Sequence, residues 1–197
     1  MWVTVQLTRP MVERAYASGI FPMAVDRRDI FTWHRPDPRA ILPLDEFHCP
    51  RSLTKLMRQK RFEVTFDRAF RDVMEGCAHG RKGGTWINAT LLDVYGQLHR
   101  AGKAHSVEVW KDGKLAGGTY GVHLGGAFMA ESKFHRVRDA SKVALASLVG
   151  RLRERGFTLL DVQYVTPHLS RFGVREVPAA EYERRLMEAL ALERTFG

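Results

Sequence analysis

Three polar side chains interrupt predicted strands that are otherwise apolar. Asp161 and Gln163 lie two residues apart in LLDVQYV, and Glu131 interrupts FMAESKF. Because strand side chains alternate between faces, Asp161 and Gln163 are expected to share one face, roughly 7 Å apart. Burying a carboxylate is costly unless it is paired or hydrogen-bonded. The three positions therefore require partners, either within the protein or in a ligand.

Two kinds of partner fit these side chains. One is a structural ion pair with one of the many arginines of the chain. The other is a shallow, partly hydrated cleft where Glu131, Asp161 and Gln163 meet a cationic or amine substrate. The strand pattern alone leaves both interpretations open.

Four large apolar side chains are candidates for lining a pocket. They are Trp86 in GTWI, Phe128 in AFMAES, and Leu148 and Leu152 on a predicted helix. Such side chains suit the apolar group of a substrate, but their spacing is also that of ordinary core positions. On spacing alone they are predicted to be core residues.

The charge balance favours a polyanionic partner. The 197 residues include 31 Lys and Arg against 22 Asp and Glu, a formal charge of +9, and such a balance favours nucleic acid or an anionic surface. A basic segment follows residue 50, in which Arg51, Lys55 and Arg58 fall on one face of a predicted helix and Lys60 and Arg61 come directly after. This segment is either a solvated helix face or a contact for phosphate groups.

Several common site types lack their sequence signatures. The eight histidines form no HExxH or HxH metal motif, and Cys49 and Cys77 form no CxxC. The nucleophile motif GxSxG, the P-loop and the dinucleotide motif GxGxxG are absent as well. The helix of the second half is preceded by FHRVRDASK, without the glycines that would bring backbone N–H groups to a coenzyme A pyrophosphate. The sequence therefore predicts no metal and no coenzyme A. No apolar run is long enough to cross a membrane, which predicts a cytoplasmic protein.

The elements that must position these residues follow from local patterns. The runs HSVEVW, KLAGGTYGVHL and AFMAESKF predict three strands joined by hairpin turns. An amphipathic helix after Asp139 and the strand TLLDVQYV complete the second half. The first hundred residues predict an irregular lobe with helices after Thr8 and Asn88. The layout is that of an α+β protein.

Taken in order, these segments resemble the leucyl/phenylalanyl-tRNA–protein transferase family. The resemblance covers nearly everything from about Leu7 to Tyr182 and is carried by AYASGIFPM, WHRPDPRAILPL, RSLTK, FEVTFDRAF, GTWIN, LHRAGKAHSVEVW, GKLAGGTYGV, FMAESKF, ASKVAL and LLDVQYVTPHL. The block AHSVEVW with GGTYG, and the spacing of Asp161 and Gln163, are its most specific parts.

The resemblance implies a fold, an activity and partners. The fold is an acetyltransferase-like mixed sheet flanked by helices over residues 51–197, with a small N-terminal α+β domain, residues 1–50, that is trimmed relative to the family. The activity is transfer of Leu or Phe, with Met a further donor, from aminoacyl-tRNA to proteins that begin with Arg or Lys, which marks them for N-degron proteolysis. A monomer with neither cofactor nor metal is expected.

The resemblance also implies roles for particular residues. Gln163 would orient or deprotonate the attacking amine, and Asp161 would polarise Gln163. The donor side chain would contact a pocket, and the basic segment would bind the tRNA acceptor stem. The implied substrate-binding residues are Met23, Trp86, Phe128, Glu131, Ser132, Leu148, Leu152 and Thr166. Met23, Lys133 and Thr166 depart from the usual family residues, so donor preference is less fixed than reaction type.

Two other functions stay open. A non-catalytic RNA-binding protein of the same fold would keep the basic surface without acyl transfer. An acetyltransferase using coenzyme A is disfavoured by the absent phosphate loop.

Overall fold

The computed structural model describes residues 2–25, 28–79 and 85–197. Within these ranges the helices are α1 to α6, and a short 3₁₀ helix spans Ser170–Phe172. Their bounds are Arg9–Ala17, Arg51–Arg58, Phe70–Ala78, Ala89–Arg100, Ala140–Glu154 and Ala179–Leu190. The strands β1 to β10 are Trp2–Thr4, Phe21–Ala24, Phe31–His34, Arg39–Ile41, Glu63–Phe66, Ala104–Lys111, Lys114–Leu124, Ala127–His135, Leu159–Gln163 and Arg175–Val177.

Local chemistry accounts for the ends of several helices. Thr8 precedes α1 with extended backbone, and a proline stands in the first turn, where its missing N–H costs no hydrogen bond. Gly19 follows that helix with φ of 73°, a conformation that favours glycine. At the start of α4 the Asn88 side chain accepts a hydrogen bond from the Leu91 N–H at 2.9 Å, as the sequence predicted.

The main sheet has the order β10-β4-β9-β8-β7-β6-β5 among the described residues. Strands β6, β7 and β8 form the predicted antiparallel meander, and α5 connects β8 to β9 as a parallel pair. All other neighbours in this sheet are antiparallel. The predicted class, an α+β mixed sheet flanked by helices, is confirmed.

Helices cover both faces of the main sheet. Side chains of α1, α3, α4 and α6 pack into one apolar core. Side chains of α5 and α2 pack into a second core on the opposite face. The sheet therefore lies between two layers, and any cleft that reaches its middle must open where neighbouring strands separate.

The N-terminal region contributes to both sheets. Strands β1, β3 and β2 form a separate three-stranded antiparallel sheet. Strand β4 precedes the predicted boundary at residue 50, yet it pairs with β9 and β10 inside the main sheet. The division into residues 1–50 and 51–197 stays a prediction, and β4 ties the first region firmly to the second.

Glycine is required where β7 passes the irregular part of β8. A Cβ atom at Gly121 would lie 2.3 Å from the Met129 carbonyl oxygen and 2.4 Å from the Phe128 ring. No real side chain tolerates such distances, so this glycine permits a close backbone approach, as its place in a strand predicted.

Candidate active site

A cavity of about 290 Å³ opens beside the end of the parallel strand pair. Pairing of β8 with β9 runs from Ala127 and Leu159 to Met129 and Asp161 and goes no further, although both strands continue. The cavity lies against these unpaired continuations. Its lining consists of Phe21, Met23, Trp86, Thr119, Ala130, Glu131, Ser132, Lys133, Leu145, Val162, Gln163, Tyr164, Thr166 and Leu169.

Glu131 enters this cavity from a β-bulge. Ser132 pairs with Tyr120 and Ala130 pairs with Gly121, so Glu131 is the extra residue on β8. Its carboxyl group lies near the buried hydroxyls of Tyr16 and Tyr95, which hydrogen-bond each other with 2.5 Å between their oxygens, so at most one of them donates to Glu131. A carboxylate in so apolar a setting needs such donors.

The pKa of Glu131 is raised from 4.5 to about 8, with burial as the largest cause, and hydrogen bonding within the tyrosine cluster only partly offsets this effect. Repulsion from the Asp161 carboxylate raises the pKa further, while Arg39 lowers it. Burial and then the charge of Glu131 raise the pKa values of Tyr16 and Tyr95 well above the ordinary tyrosine range. Both hydroxyls therefore remain protonated near neutral pH.

Gln163 ends β9 in a left-handed conformation, with φ of 60°. A non-glycine residue rarely adopts such a φ, and the backbone here is held because the Gln163 N–H donates to Asp161 Oδ1 at 2.9 Å. The Gln163 side chain points to the cavity, where its Nε2 donates to Glu131 Oε1 at 3.2 Å. This hydrogen bond leaves the amide oxygen as an acceptor for a bound molecule.

Asp161 forms a buried ion pair. Its two carboxylate oxygens accept from Arg39 Nε at 2.9 Å and Nη2 at 2.5 Å, and both side chains are at most 1% exposed. The Tyr182 hydroxyl donates to the same carboxylate at 2.9 Å. Asp161 therefore does not line the cavity, and it reaches Gln163 through the backbone N–H instead of the side chain. Its contacts are those of a positioning residue.

Arg39 is held on every side. Its Nη1 donates to the Gly19 carbonyl oxygen at 3.0 Å, and the guanidinium lies 4.9 Å from the Phe21 ring centroid and 4.6 Å from that of Tyr182. Burial lowers the pKa of Arg39, but attraction to Asp161 more than compensates, so the net shift is upward. The guanidinium stays charged and links the α1–β2 turn, β4, β9 and α6.

The structure brings together six of the residues that the resemblance implied for the site and its substrates. Met23, Trp86, Glu131, Ser132, Gln163 and Thr166 all line the cavity. The basic segment is a separate feature, with Arg51, Lys55 and Arg58 exposed on α2 and Lys60 and Arg61 exposed beyond the helix end.

Three expected pocket residues lie elsewhere. Phe128, Leu148 and Leu152 are each at most 1% exposed and pack in the core between α5 and the sheet. Phe128 stacks on Phe196 at 5.5 Å between ring centroids. The correction has a geometric reason, because Phe128 and Glu131 are an odd number of strand residues apart and face opposite sides.

Five residues of the site region were missed from the sequence: Arg39, Tyr16, Tyr95, Tyr182 and Phe21. A signal existed for Arg39, which stands next to the apolar run AILPL and so required a buried partner. The tyrosines lie on the apolar faces of three helices, where a buried hydroxyl indicates a hydrogen-bond partner.

Two absences concern the residues that the structure describes. No group of three or more His, Cys, Asp and Glu side chains there is arranged to hold a metal ion. None of the helices in those same ranges is long and apolar enough to span a membrane.

Sequence comparison identifies the family. A family model described as "Leucyl/phenylalanyl-tRNA protein transferase" matches residues 41–187, and the model of the N-terminal domain of that family matches residues 6–37. The chain belongs to this transferase family.

Three relatives that carry the name leucyl/phenylalanyl-tRNA–protein transferase match nearly the whole chain. The protein from Salinibacter ruber is 55% identical over 93% of this chain and 80% of its own length. The one from Herpetosiphon aurantiacus is 49% identical over 98% and 100%. The one from Paramagnetospirillum magneticum is 50% identical over 94% and 90%.

The solved structures that match this chain are more distant. A GCN5-related N-acetyltransferase from Kribbella flavida is 11% identical, with a TM-score of 0.46 over 80% of this chain and 56% of its own. The structure of L-PGS from Bacillus licheniformis is 11% identical, with a TM-score of 0.45 over 85% and 57%.

Proposed function

We propose that this protein transfers Leu or Phe, and Met as a further donor, from aminoacyl-tRNA to the α-amino group of proteins that begin with Arg or Lys. The transfer would mark those proteins for N-degron proteolysis in the cytoplasm, and a monomer with neither metal nor cofactor would suffice. Family membership supports the reaction class. The observation that carries the proposal is the cavity, which has an apolar wall and, at one end, the Glu131–Gln163 pair.

The apolar wall suits the donor side chain. Phe21 and Met23 approach from β2, and Trp86 approaches from the segment before α4. The other apolar side chains, Leu145, Val162 and Leu169, come from α5, β9 and the loop after it. Burying a Leu or Phe side chain contributes about 1.5–3 kcal/mol. A surface without polar selectors separates similar apolar side chains by only about 10–200-fold, so Met is accommodated as well.

The polar end suits the reacting amine. A protein α-amino group has a pKa of roughly 7.7–8.0, close to the value of about 8 for Glu131. The ionised Glu131 carboxylate therefore accepts a proton from the ammonium group with little free-energy cost. The Gln163 amide oxygen accepts a hydrogen bond from the same nitrogen and fixes its approach.

The acyl transfer itself then needs few groups. The neutral amine nitrogen attacks the ester carbonyl carbon, and the bond from that carbon to the ribose oxygen breaks. The second amine proton passes to the leaving ribose oxygen, and Glu131 releases the first proton to solvent. An aminoacyl ester is already activated, so positioning and deprotonation account for the chemistry.

The cationic side chain of an N-terminal Arg or Lys has an acidic partner at the same end of the cavity. Glu131 is the one acidic residue among the described residues that line the cavity, and the Asp161 carboxylate outside the lining is paired with Arg39. An N-terminal Arg or Lys brings two positive charges toward this end of the cavity. Both are attracted by the ionised carboxylate before it takes the ammonium proton, which supports an acceptor of that class.

The test is a transfer assay with mass-spectrometric detection. Folded protein is incubated with tRNA charged with Leu, Phe, Met, Ala or Asp and with a peptide that begins with Lys. We expect extension by Leu and Phe, a smaller yield with Met, and none with Asp. The same peptide with an acetylated N-terminus is the control. Binding of charged tRNA without any extension would instead identify a non-catalytic RNA-binding protein, and acetylation from acetyl coenzyme A would identify an acetyltransferase.

A further inference from the structure

A second cavity, of about 420 Å³, lies at the start of α5. Three cationic side chains line it, Lys133, Arg138 and Lys142, together with the imidazoles of His135 and His168. We refer to it as the basic pocket. None of the roles assigned above uses it.

The lining of the basic pocket holds more cationic side chains than carboxylates. Asp139 is the carboxylate in its lining, and it pairs with Lys142 at 2.6 Å and more loosely with Arg138 at 3.8 Å. Three cations against one carboxylate leave a formal excess of two positive charges. The pocket also faces the N-terminal end of α5, where the helix dipole adds positive potential.

His168 carries an unsatisfied polar atom into this environment. Its Nδ1 is buried without a hydrogen-bond partner among the described residues. Burial, and then the charges of Lys133 and Lys142, lower the pKa of His168. The lowered pKa keeps the imidazole neutral near neutral pH, so the positive charge of the basic pocket comes from its three cationic side chains.

The basic pocket adjoins the candidate active site. Lys133 lines both cavities, and His168 lies between Thr166 and Leu169, which line the first one. In an aminoacyl-tRNA, the ester oxygen belongs to the 3′-terminal ribose, and the nearest phosphodiester is attached to that same ribose. A donor with its acyl group at Glu131 and Gln163 therefore brings its last phosphodiesters to the neighbourhood of Lys133.

We propose that the basic pocket binds the phosphodiester groups of the 3′-terminal nucleotides of the donor tRNA. This assignment rests on the proposed function. The chain has no glycine-rich turn before α5, and cationic side chains take the place of bare backbone N–H groups as the anion contact. The pocket thereby fixes the ester in the cavity, separately from the exposed basic segment on α2.

The test compares two double variants with the same loss of charge. Arg138→Gln with Lys142→Gln removes two cations of the basic pocket, and Arg138 is 93% exposed, so folding is preserved. Arg68→Gln with Arg71→Gln is the matched control. Those arginines are also exposed and also paired with carboxylates, but they lie by α3, on the opposite face of the sheet. Dissociation constants are measured for deacylated tRNA, intact or lacking its last three nucleotides, over a series of salt concentrations.

For intact tRNA, the basic-pocket variant is expected to bind about tenfold more weakly than the wild type near 0.1 M salt, with a salt slope smaller by about 1.4, the value for two single-strand phosphates. For truncated tRNA it is expected to match the wild type within twofold. The control variant is expected to discriminate intact from truncated tRNA as the wild type does.

Equal weakening of intact and truncated tRNA would overturn the proposal, and so would unchanged binding of both. Competition between coenzyme A and intact tRNA for the wild type, lost in the basic-pocket variant, would assign the pocket to a cofactor diphosphate instead. Because binding of deacylated tRNA needs no transfer, a failed transfer assay refutes the proposed function without deciding this result.

Discussion

Removing the Asp161 carboxylate is predicted to act mainly on the free energy of unfolding and not directly on the transfer reaction. Asp161→Ala would leave the Arg39 guanidinium charged and buried, with both hydrogen-bond acceptors on β9 gone. It would also remove the acceptor of the Tyr182 hydroxyl and of the Gln163 N–H. Breaking one side of a buried ion pair costs about 3–5 kcal/mol.

The size of this effect can be measured directly. The free energy of unfolding of a domain is about 5–15 kcal/mol, so Asp161→Ala should remove a large share of it. At 197 residues, each 1 kcal/mol corresponds to about 2–4 °C in Tm, which predicts a loss of roughly 6–20 °C. Urea unfolding followed by circular dichroism gives the free energy, and differential scanning calorimetry gives the Tm.

Two variants serve as controls for Asp161→Ala. Glu46→Ala breaks the exposed pair of Arg175 and Glu46, which also joins distant segments at 3.1 Å, and should cost under about 1 kcal/mol. The double variant Arg39→Met with Asp161→Leu replaces both charges with apolar groups and should recover the part of the loss that comes from the unpaired guanidinium, while the Tyr182 hydroxyl and the Gln163 N–H still lack their acceptor.

One outcome would refute this reasoning about Asp161. If Asp161→Ala unfolds within about 1 kcal/mol of the wild type while aminoacyl transfer is abolished, the carboxylate acts on the reaction itself. The ion pair with Arg39 would then not be what holds Gln163 in place.

Four further outcomes are expected. The transfer rate should rise with pH through about 8, as Glu131 loses its proton. Glu131→Gln should slow transfer by about 100-fold or more, and the pH dependence of its rate should reflect only the titration of the peptide amine. Burial raises the Glu131 pKa from 4.5 to about 8, so the folded state binds more protons than the unfolded state in that interval. The free energy of unfolding should therefore fall as pH rises from 4.5 to 8, by at most about 5 kcal/mol. Urea unfolding at pH 5 and pH 8.5 should show this decrease in the wild type and not in Glu131→Gln. Trp86→Ala should raise the KM for Phe-tRNA by about 10-fold or more, whereas Phe128→Ala, a core substitution, should cost about 3–5 kcal/mol in unfolding free energy. Arg51→Gln with Arg58→Gln should lower the salt slope of tRNA binding by about 2 and leave transfer from a phosphate-free aminoacyl-adenosine unchanged.

The strand meander and the helix starts were predictable because their signals are local. Hairpin turns such as Asp112-Gly113 and alternating side chains define β6, β7 and β8 within short windows. The Asn88 cap acts over three residues, and the predicted cap and observed hydrogen bond agree. These contacts do not depend on the rest of the fold.

The ion pair at the centre of the molecule was only half predictable. The strand pattern required a partner for Asp161, and an arginine was one of two possibilities. Arg39 and Asp161 are 122 residues apart, and no local pattern shows that a three-residue strand after a Pro-rich segment pairs with β9. Such a contact is fixed by tertiary packing alone.

Strand periodicity excludes one of the expected pocket residues. Phe128 and Glu131 could not both face the cavity on a regular strand, and the structure turns Phe128 into the α5 core. On α5, Leu145 reaches the cavity, while Leu148 and Leu152 lie one and two turns further along. The β-bulge at Glu131 depends on its neighbours on β7 and leaves no local sequence signal.

The most direct test is a crystal structure with a stable donor analogue, in which Phe is joined to the 3′ carbon of adenosine through an amide. The account predicts the Phe ring against Trp86 and Met23, with its carbonyl carbon beside Glu131 and Gln163. An analogue bound elsewhere on the protein, with this cavity still empty at saturating concentration, would contradict it.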